Sequence, residues 1–280
     1  MTFDRDWKKS EPVDGLPNSP RRSCQTFFTN PLGVECLLSE INRLSGKNPL
    51  HCNAIANWRM SFGTRDEIDC LNKVNLCRET PLIVAVRYEV NNAIQLLTEF
   101  KVDPDRRDDV WNTALHYAVN YQDINAIERL LQMGANISFM KGNGYACIHI
   151  AAHNGNVAVM HCLINCCPEI DVNQRDHKGD TPLIIATKSR NFKTVKKLIW
   201  GKVNIDLMDD NGDTPLHLAA MNGDARLVSF LACIAQLTSR NNKGRKVLAL
   251  AARLGYGVIF KILLDKGADI YTQQIIACKR

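Results

Sequence analysis

No stretch of this sequence approaches the ~18 consecutive apolar residues that cross a membrane as a helix. The first residues carry Asp4, Asp6, Lys8 and Lys9 with no apolar run behind them, so no secretory leader is expected. A phosphate-cradling glycine loop, a nucleophile elbow and a His-Glu-x-x-His helix are all missing. No catalytic residue, metal or cofactor is therefore assigned. A basic block is missing too. The net charge of +6 comes from interspersed signs, and the nearest basic run, Lys193 with Lys196 and Lys197, reads as a solvated helix face. Membrane association and direct nucleic-acid binding are not expected.

What is present is ordinary for a folded chain: 280 residues, 45% of them hydrophobic. Eleven cysteines at irregular spacing, without a leader, read as reduced thiols of a cytoplasmic and possible nuclear protein. Most of them should be small buried hydrophobes.

Self-similarity settles the architecture. The frame Thr214-Pro215-Leu216-His217-Leu218-Ala219 occurs again at Thr181-Pro182-Leu183, Thr113-Ala114-Leu115-His116 and Thr80-Pro81-Leu82. Degenerate copies start at Ala146, with Ile148 and His149, and at Lys246, with Leu248 and Ala249. The starts 80, 113, 146, 181, 214 and 246 are separated by 33, 33, 35, 33 and 32 residues. Five residues after each start lie Ala85, Ala118, Ala151, Ala186, Ala219 and Ala251. Seventeen after each lie Leu97, Leu130, Leu163, Leu198, Leu231 and Leu263. The leucine position lies outside the motif, and the alanine belongs to it only in the reference copy, so the remaining copies test the frame independently.

These motifs, with the closes Gly134-Ala135-Asn136 and Gly267-Ala268-Asp269, resemble the ankyrin repeat from about Thr80 to Tyr271. The resemblance implies an all-α ankyrin-repeat solenoid, each unit a hairpin-like finger followed by two antiparallel helices. The residues suit that reading. Proline sits in the first helical turn, where its missing N–H is harmless, and the preceding threonine can cap free amides. Gly144, Gly179, Gly212 and Gly244, two residues before their starts, are expected at positive φ. Arg78 and Trp111 take that place in the first two repeats, whose fingers should bend differently or carry slight strain.

The expected organisation is a flexible tail over 1–28, a helical cap or diverged repeat over 29–75, six repeats over 76–272, and a tail over 273–280. Asn48-Pro49-Leu50-His51 lies 32 residues before Thr80, but Asn53 and Arg65 replace the alanine and leucine. Val34 to Leu44 has helical spacing that could complete such a cap.

In the ankyrin family the motif histidine is structural, so His116, His149 and His217 should link adjacent fingers. The third repeat concentrates His149, His153, His161, Cys147, Cys162, Cys166 and Cys167. A zinc site would need four of these to converge, and the motif histidine points the wrong way, so thiol and structural roles are preferred. Asp171-Val172-Asn173 resembles an asparaginyl-hydroxylase substrate, but Asn165 stands where that pattern wants leucine; Asn173 could equally close a finger turn. Ser19 and Ser23 sit in short kinase-like contexts within the tail.

The resemblance implies a non-catalytic scaffold, adaptor or inhibitor that binds another protein through its finger tips and helix-one face, and is monomeric alone. Mapped by position, partner contacts are expected at Arg87, Tyr88, Asn112, Asn120, Tyr121, Tyr145 and His153 in the first half. In the second half they are His177, Lys178, Lys188, Asp213, Met221, Lys243, Arg245 and Arg253. Tyr88, Tyr121 and Tyr145 form the candidate anchor, and the later charges are suited to steering. Two narrower readings stay open. One is a cytoplasmic inhibitor of a Rel/NF-κB-like transcription factor, although the Asp-Ser-Gly-x-x-Ser degron is absent from 1–45. The other is the recognition module of a ubiquitin-ligase or other enzyme complex.

Overall fold

A computed structural model describes residues 72, 74, 77–89, 91–100, 102–201 and 203–269. The expected tails, the cap, Ser19 and Ser23 lie outside the described residues.

Every start opens a pair of short helices. They are α1 (Pro81–Arg87) and α2 (Asn91–Glu99), α3 (Ala114–Tyr121) and α4 (Ile124–Gln132), then α5 (Cys147–Asn154) and α6 (Val157–Cys166). The pairs α7 (Pro182–Lys188) and α8 (Phe192–Trp200), α9 (Pro215–Met221) and α10 (Ala225–Leu231), and α11 (Val247–Arg253) and α12 (Gly257–Asp265) follow. Among the described residues the only β pairing is one isolated bridge between Arg240 and Lys246. The first helix of each unit starts where the sequence says it should. Thr80, Thr181 and Thr214 accept the N–H of Ile83, Ile184 and His217 on their hydroxyls, and proline follows at once.

The first helices stack in an inner row, α1 on α3 on α5 on α7 on α9 on α11, and each packs on its own second helix in an outer row. The frame alanines are buried throughout, which lets inner helices approach closely. The frame leucines are equally buried and fill the seams between units. Between α8 and α10 the outer row is bridged by aromatics. Phe192 meets Phe230 edge-on at 5.5 Å, and the Arg226 guanidinium lies 4.0 Å over the Phe192 ring. Stability in such a stack is a sum of nearest-neighbour seams.

Gly144, Gly179, Gly212 and Gly244 take positive φ, between 69° and 83°. Arg78 and Trp111 do not bend their fingers differently: they hold the same left-handed conformation, at φ 56° and 66°. The strain alternative is therefore the one realised, at a cost of about 1–2 kcal/mol for a residue with a Cβ. A second left-handed position recurs nine residues after each start, in the turn between paired helices. Gly155, Gly223 and Gly255 occupy it in three repeats, and Glu89, Gln122 and Arg190 in the others, at φ 56°, 64° and 57°.

Candidate functional site

The finger and inner-helix face is built by a repeated turn. Five residues before a start, a carboxylate or amide oxygen accepts two backbone N–H groups. Asp108 takes those of Val110 and Asn112 at 3.0 and 2.7 Å, and Asp176 those of Lys178 and Asp180 at 2.8 Å each. Asp209 takes those of Asn211 and Asp213 at 2.9 Å, and Asn241 those of Lys243 and Arg245 at 3.1 and 3.0 Å. In the third repeat Lys141 holds this place. It is buried, burial pushes its pKa down to about 8 against the attraction of Asp108, and its Nζ lies 5.6 Å over the Tyr145 ring. Backbone bonds tie four pairs of successive fingers: Asp109 N–H to the Cys77 carbonyl at 3.3 Å, Gly142 N–H to that of Val110 at 3.3 Å, Asp210 N–H to that of Lys178 at 3.4 Å, and Asn242 N–H to that of Asn211 at 3.1 Å.

Glycine in the later fingers answers a second need besides φ. A Cβ on Gly212 would stand 2.4 Å from Asn242 Oδ1, and one on Gly144 would stand 2.4 Å from the His177 nitrogen. Trp111 does carry a Cβ there, and the facing residue of the next finger is Gly142, which has no side chain to obstruct it. The Trp111 ring projects into solvent, 56% exposed, with the Arg107 guanidinium 5.3 Å over it; Arg107 lies 4.2 Å over Phe139 as well.

The motif histidines are hydrogen-bond links. His116 Nδ1 accepts Thr113 N–H at 3.1 Å, which leaves the proton on Nε2 to donate to the Phe139 carbonyl at 2.9 Å. His149 joins Ala146 N–H to the Gln174 carbonyl in the same way, and His217 joins Thr214 N–H to the Arg245 carbonyl. Burial lowers all three, His116 to about 4, so they stay neutral. His153 points elsewhere, half-buried, with Nδ1 3.4 Å from Ser189 Oγ. Cys162 and Cys166 pair with each other, Sγ to Sγ 3.8 Å, on the outer row. Among the described residues no three His, Cys, Asp or Glu side chains gather as metal ligands.

The expected partner contacts divide by exposure. Tyr88, His177, Lys178, Met221, Lys243 and Arg253 stand exposed; Asn120, Arg245, Tyr121, Tyr145 and His153 are half-buried. Several of the remainder need correction. Asn112 and Asp213 are buried: Asn112 donates its backbone N–H to Asp108, and Asp213 Oδ1 accepts from Asn241 Nδ2 at 2.8 Å. Lys188 is not a free steering charge. Its Nζ lies 2.6 Å from Asp180 and 3.3 Å from Asp209, with burial raising Asp180 to about 6 against that lysine. Arg87 is paired with Glu79. The three tyrosines do not form one patch of equals. Tyr121 stacks on Tyr117 of its own helix at 6.3 Å, and Tyr145 on His149 at 5.8 Å, both packed against the core. Only Tyr88 projects, 42% exposed.

The sequence reading did not assign Trp111 as a contact, though it is large and exposed beside the exposed Val110 at one finger tip. The signal was available: tryptophan in a glycine position. It also passed over Tyr117, whose hydroxyl donates to Asp108 Oδ2 at 2.6 Å and whose ring carries the Arg87 guanidinium at 5.8 Å. Asn173 donates its backbone N–H to Asp171 Oδ1 at 2.9 Å and accepts the Asn204 N–H of the next unit at 2.8 Å on its side-chain oxygen.

The comparisons agree with this architecture. The family described as ankyrin repeats (3 copies) matches residues 28–141, 123–206 and 189–274. An ankyrin repeat protein of Acanthamoeba polyphaga mimivirus is 26% identical over 186 residues, covering 65% of this chain and 24% of its own. Rabankyrin-5 of Mus musculus is 29% identical over 186 residues, covering 65% of this chain and 16% of its own. The chain thus spans less than a quarter of the length of these two relatives. The crystal structure of the ankyrin repeat domain of Bcl-3, a member of the IkappaB protein family, superposes with a TM-score of 0.68 at 21% identity, covering 84% of this chain and 98% of that one. No helix among the described residues is long and apolar enough to cross a membrane. With the family match running through most of its length, the chain belongs to the ankyrin-repeat family.

Proposed function

We propose that this chain is a non-catalytic protein-binding scaffold whose partner anchors on the first two described repeats, at the Val110–Trp111 finger tip and along the inner-helix face that ends in Tyr88. One observation carries this reading: a tryptophan held at positive φ, where four other fingers use glycine, and left 56% exposed. Strain combined with an exposed aromatic costs stability twice, and such combinations cluster at ligand clamps. Tryptophan, tyrosine and arginine are also the side chains that dominate interface energetics. The later repeats present a polar face in which Lys188 is already satisfied internally. Exposed His177, Lys178, Lys243 and Arg253 suit orientation and on-rate more than affinity.

A role as a cytoplasmic inhibitor of a Rel/NF-κB-like factor is the narrower reading, and the likeness to Bcl-3 supports it at the level of fold alone. The test is comparative capture. Immobilised wild type, Trp111→Ala and Lys243→Ala are exposed to the same extract, and bound proteins are quantified by mass spectrometry. A partner retained by wild type and Lys243→Ala but lost by Trp111→Ala is the expected result. Identical partner sets for all three variants would overturn the assignment of the anchor.

A further inference from the structure

Outside the finger face, the outer row carries a thiol pair that the binding role does not use. Cys162 and Cys166 lie one turn apart on α6, with Sγ atoms 3.8 Å from each other. Their environments differ: Cys162 is buried against the core and Cys166 is exposed. Cys166 is the last residue of α6, and the cap Cys167 has already left helical geometry, at φ −131° and ψ 82°. A helix end yields more easily than a helix interior, and α-helical residues four apart have Cα atoms within the span a disulfide can bridge. By contrast the other exposed thiol among the described residues, Cys233, is engaged with the Ser229 carbonyl at 3.2 Å, and the fully buried Cys147 is out of reach of solutes.

We propose that Cys162 and Cys166 form a peroxide-sensitive dithiol that closes to an intrahelical disulfide. Cys166, the accessible member, attacks a hydroperoxide as its thiolate. A sulfur–oxygen bond forms, the peroxide oxygen–oxygen bond breaks, and the departing oxygen takes a proton to leave as alcohol or water. The Cys162 sulfur then attacks the Cys166 sulfenic sulfur. The sulfur–sulfur bond forms, the sulfur–oxygen bond breaks, and hydroxide leaves as water with the Cys162 proton. Two thiols are oxidised by two electrons, and one hydroperoxide is reduced. Burial and the contact with Cys166 push the Cys162 thiol up to about 12, in keeping with Cys166 as the attacking member and Cys162 as the resolving one. Closing the bond draws the Cβ atoms from the ~5–6 Å of helical neighbours to the ~3.5–4.5 Å of a disulfide, so the closed form opens the last turn of α6.

The experiment treats the full chain with hydrogen peroxide, traps sulfenic acid with dimedone, and maps the peptide bearing these cysteines by mass spectrometry without reduction. Wild type and Cys167→Ser should lose two thiol hydrogens from that peptide, regain them with dithiothreitol, and label weakly with dimedone. Cys162→Ser should form no disulfide there and should accumulate dimedone label at Cys166, which a merely structural Cys162 would not produce. Cys166→Ser should show neither. Circular dichroism of each variant checks that the fold survives. A disulfide that persists in Cys162→Ser, or wild-type Cys166 that proceeds to sulfinic acid without pairing, would overturn the proposal.

Discussion

The first two described repeats and the four that follow meet one geometric demand with different residues. Both groups need a left-handed residue two before the start. The later fingers supply Gly144, Gly179, Gly212 and Gly244, while the earlier ones supply Arg78 and Trp111. The turn between paired helices repeats the contrast, with Glu89 and Gln122 early and glycine in three of the four later units. The early repeats carry more conformational strain and also bear the largest exposed aromatic of the finger face. The later ones keep a single left-handed residue with a Cβ, Arg190, and in the fourth repeat the groove charge is closed by Lys188 between two aspartates. The difference teaches that local strain and outward chemistry are concentrated in the same part of the stack.

The largest expected effect lies at the seam where these regions join. Leu163→Ala, at a fully buried outer-row position, should cost roughly 2–5 kcal/mol by urea denaturation. A loss below about 1 kcal/mol would mean that this seam is loosely packed. Next comes a pair of substitutions at one structural position that should have opposite signs. Gly212→Ala places a Cβ against Asn242 at positive φ and should destabilise by about 1–3 kcal/mol. Arg78→Gly removes strain and should be neutral or stabilising by up to about 1 kcal/mol, less the loss of any side-chain contact. If both variants destabilise equally, the contrast between the regions is false.

Acid should act on the whole stack, through the buried histidines. A histidine with a depressed folded pKa keeps its full contribution above its unfolded value near 6.5 and loses it as pH falls toward the folded value, about 4 for His116. His149 and His217 act in the same direction. Asp180 opposes them, since its folded pKa, raised to about 6, makes the native state take up a proton below that pH. His153, lowered by burial, acts with these three, and Asp105, raised by burial, acts with Asp180. Four histidines outweigh two carboxylates, so denaturation midpoints should fall between pH 6.5 and 4, with each histidine limited to about 1.4 kcal/mol per pH unit. A flat profile in that window would contradict neutral histidine links.

The repeat was legible in the chain because every seam uses the same alanine and leucine, and a period shows wherever packing repeats. The finger glycines were legible for the same reason. The second left-handed position was hidden, because Glu89, Gln122 and Arg190 fill it in half the repeats and leave no glycine signature. Charge was harder to read. Lys188 and Asp180 are eight residues apart, a spacing that no helix or strand rule joins, and they meet only because the finger folds back over the inner helix. Tyr121 and Tyr145 share a face with Tyr88 in sequence terms, yet stacking on Tyr117 and His149 draws them into the core surface.

The central claim, that strain and recognition coincide at Trp111, is tested by measuring stability and partner affinity on one variant, Trp111→Gly. Relief of the left-handed strain should offset the lost ring contact with Arg107, leaving unfolding free energy within about 1 kcal/mol of wild type. Affinity for the captured partner should meanwhile fall by about 2 kcal/mol or more. Unchanged affinity, or a stability loss large enough to explain the weaker binding, would contradict the account.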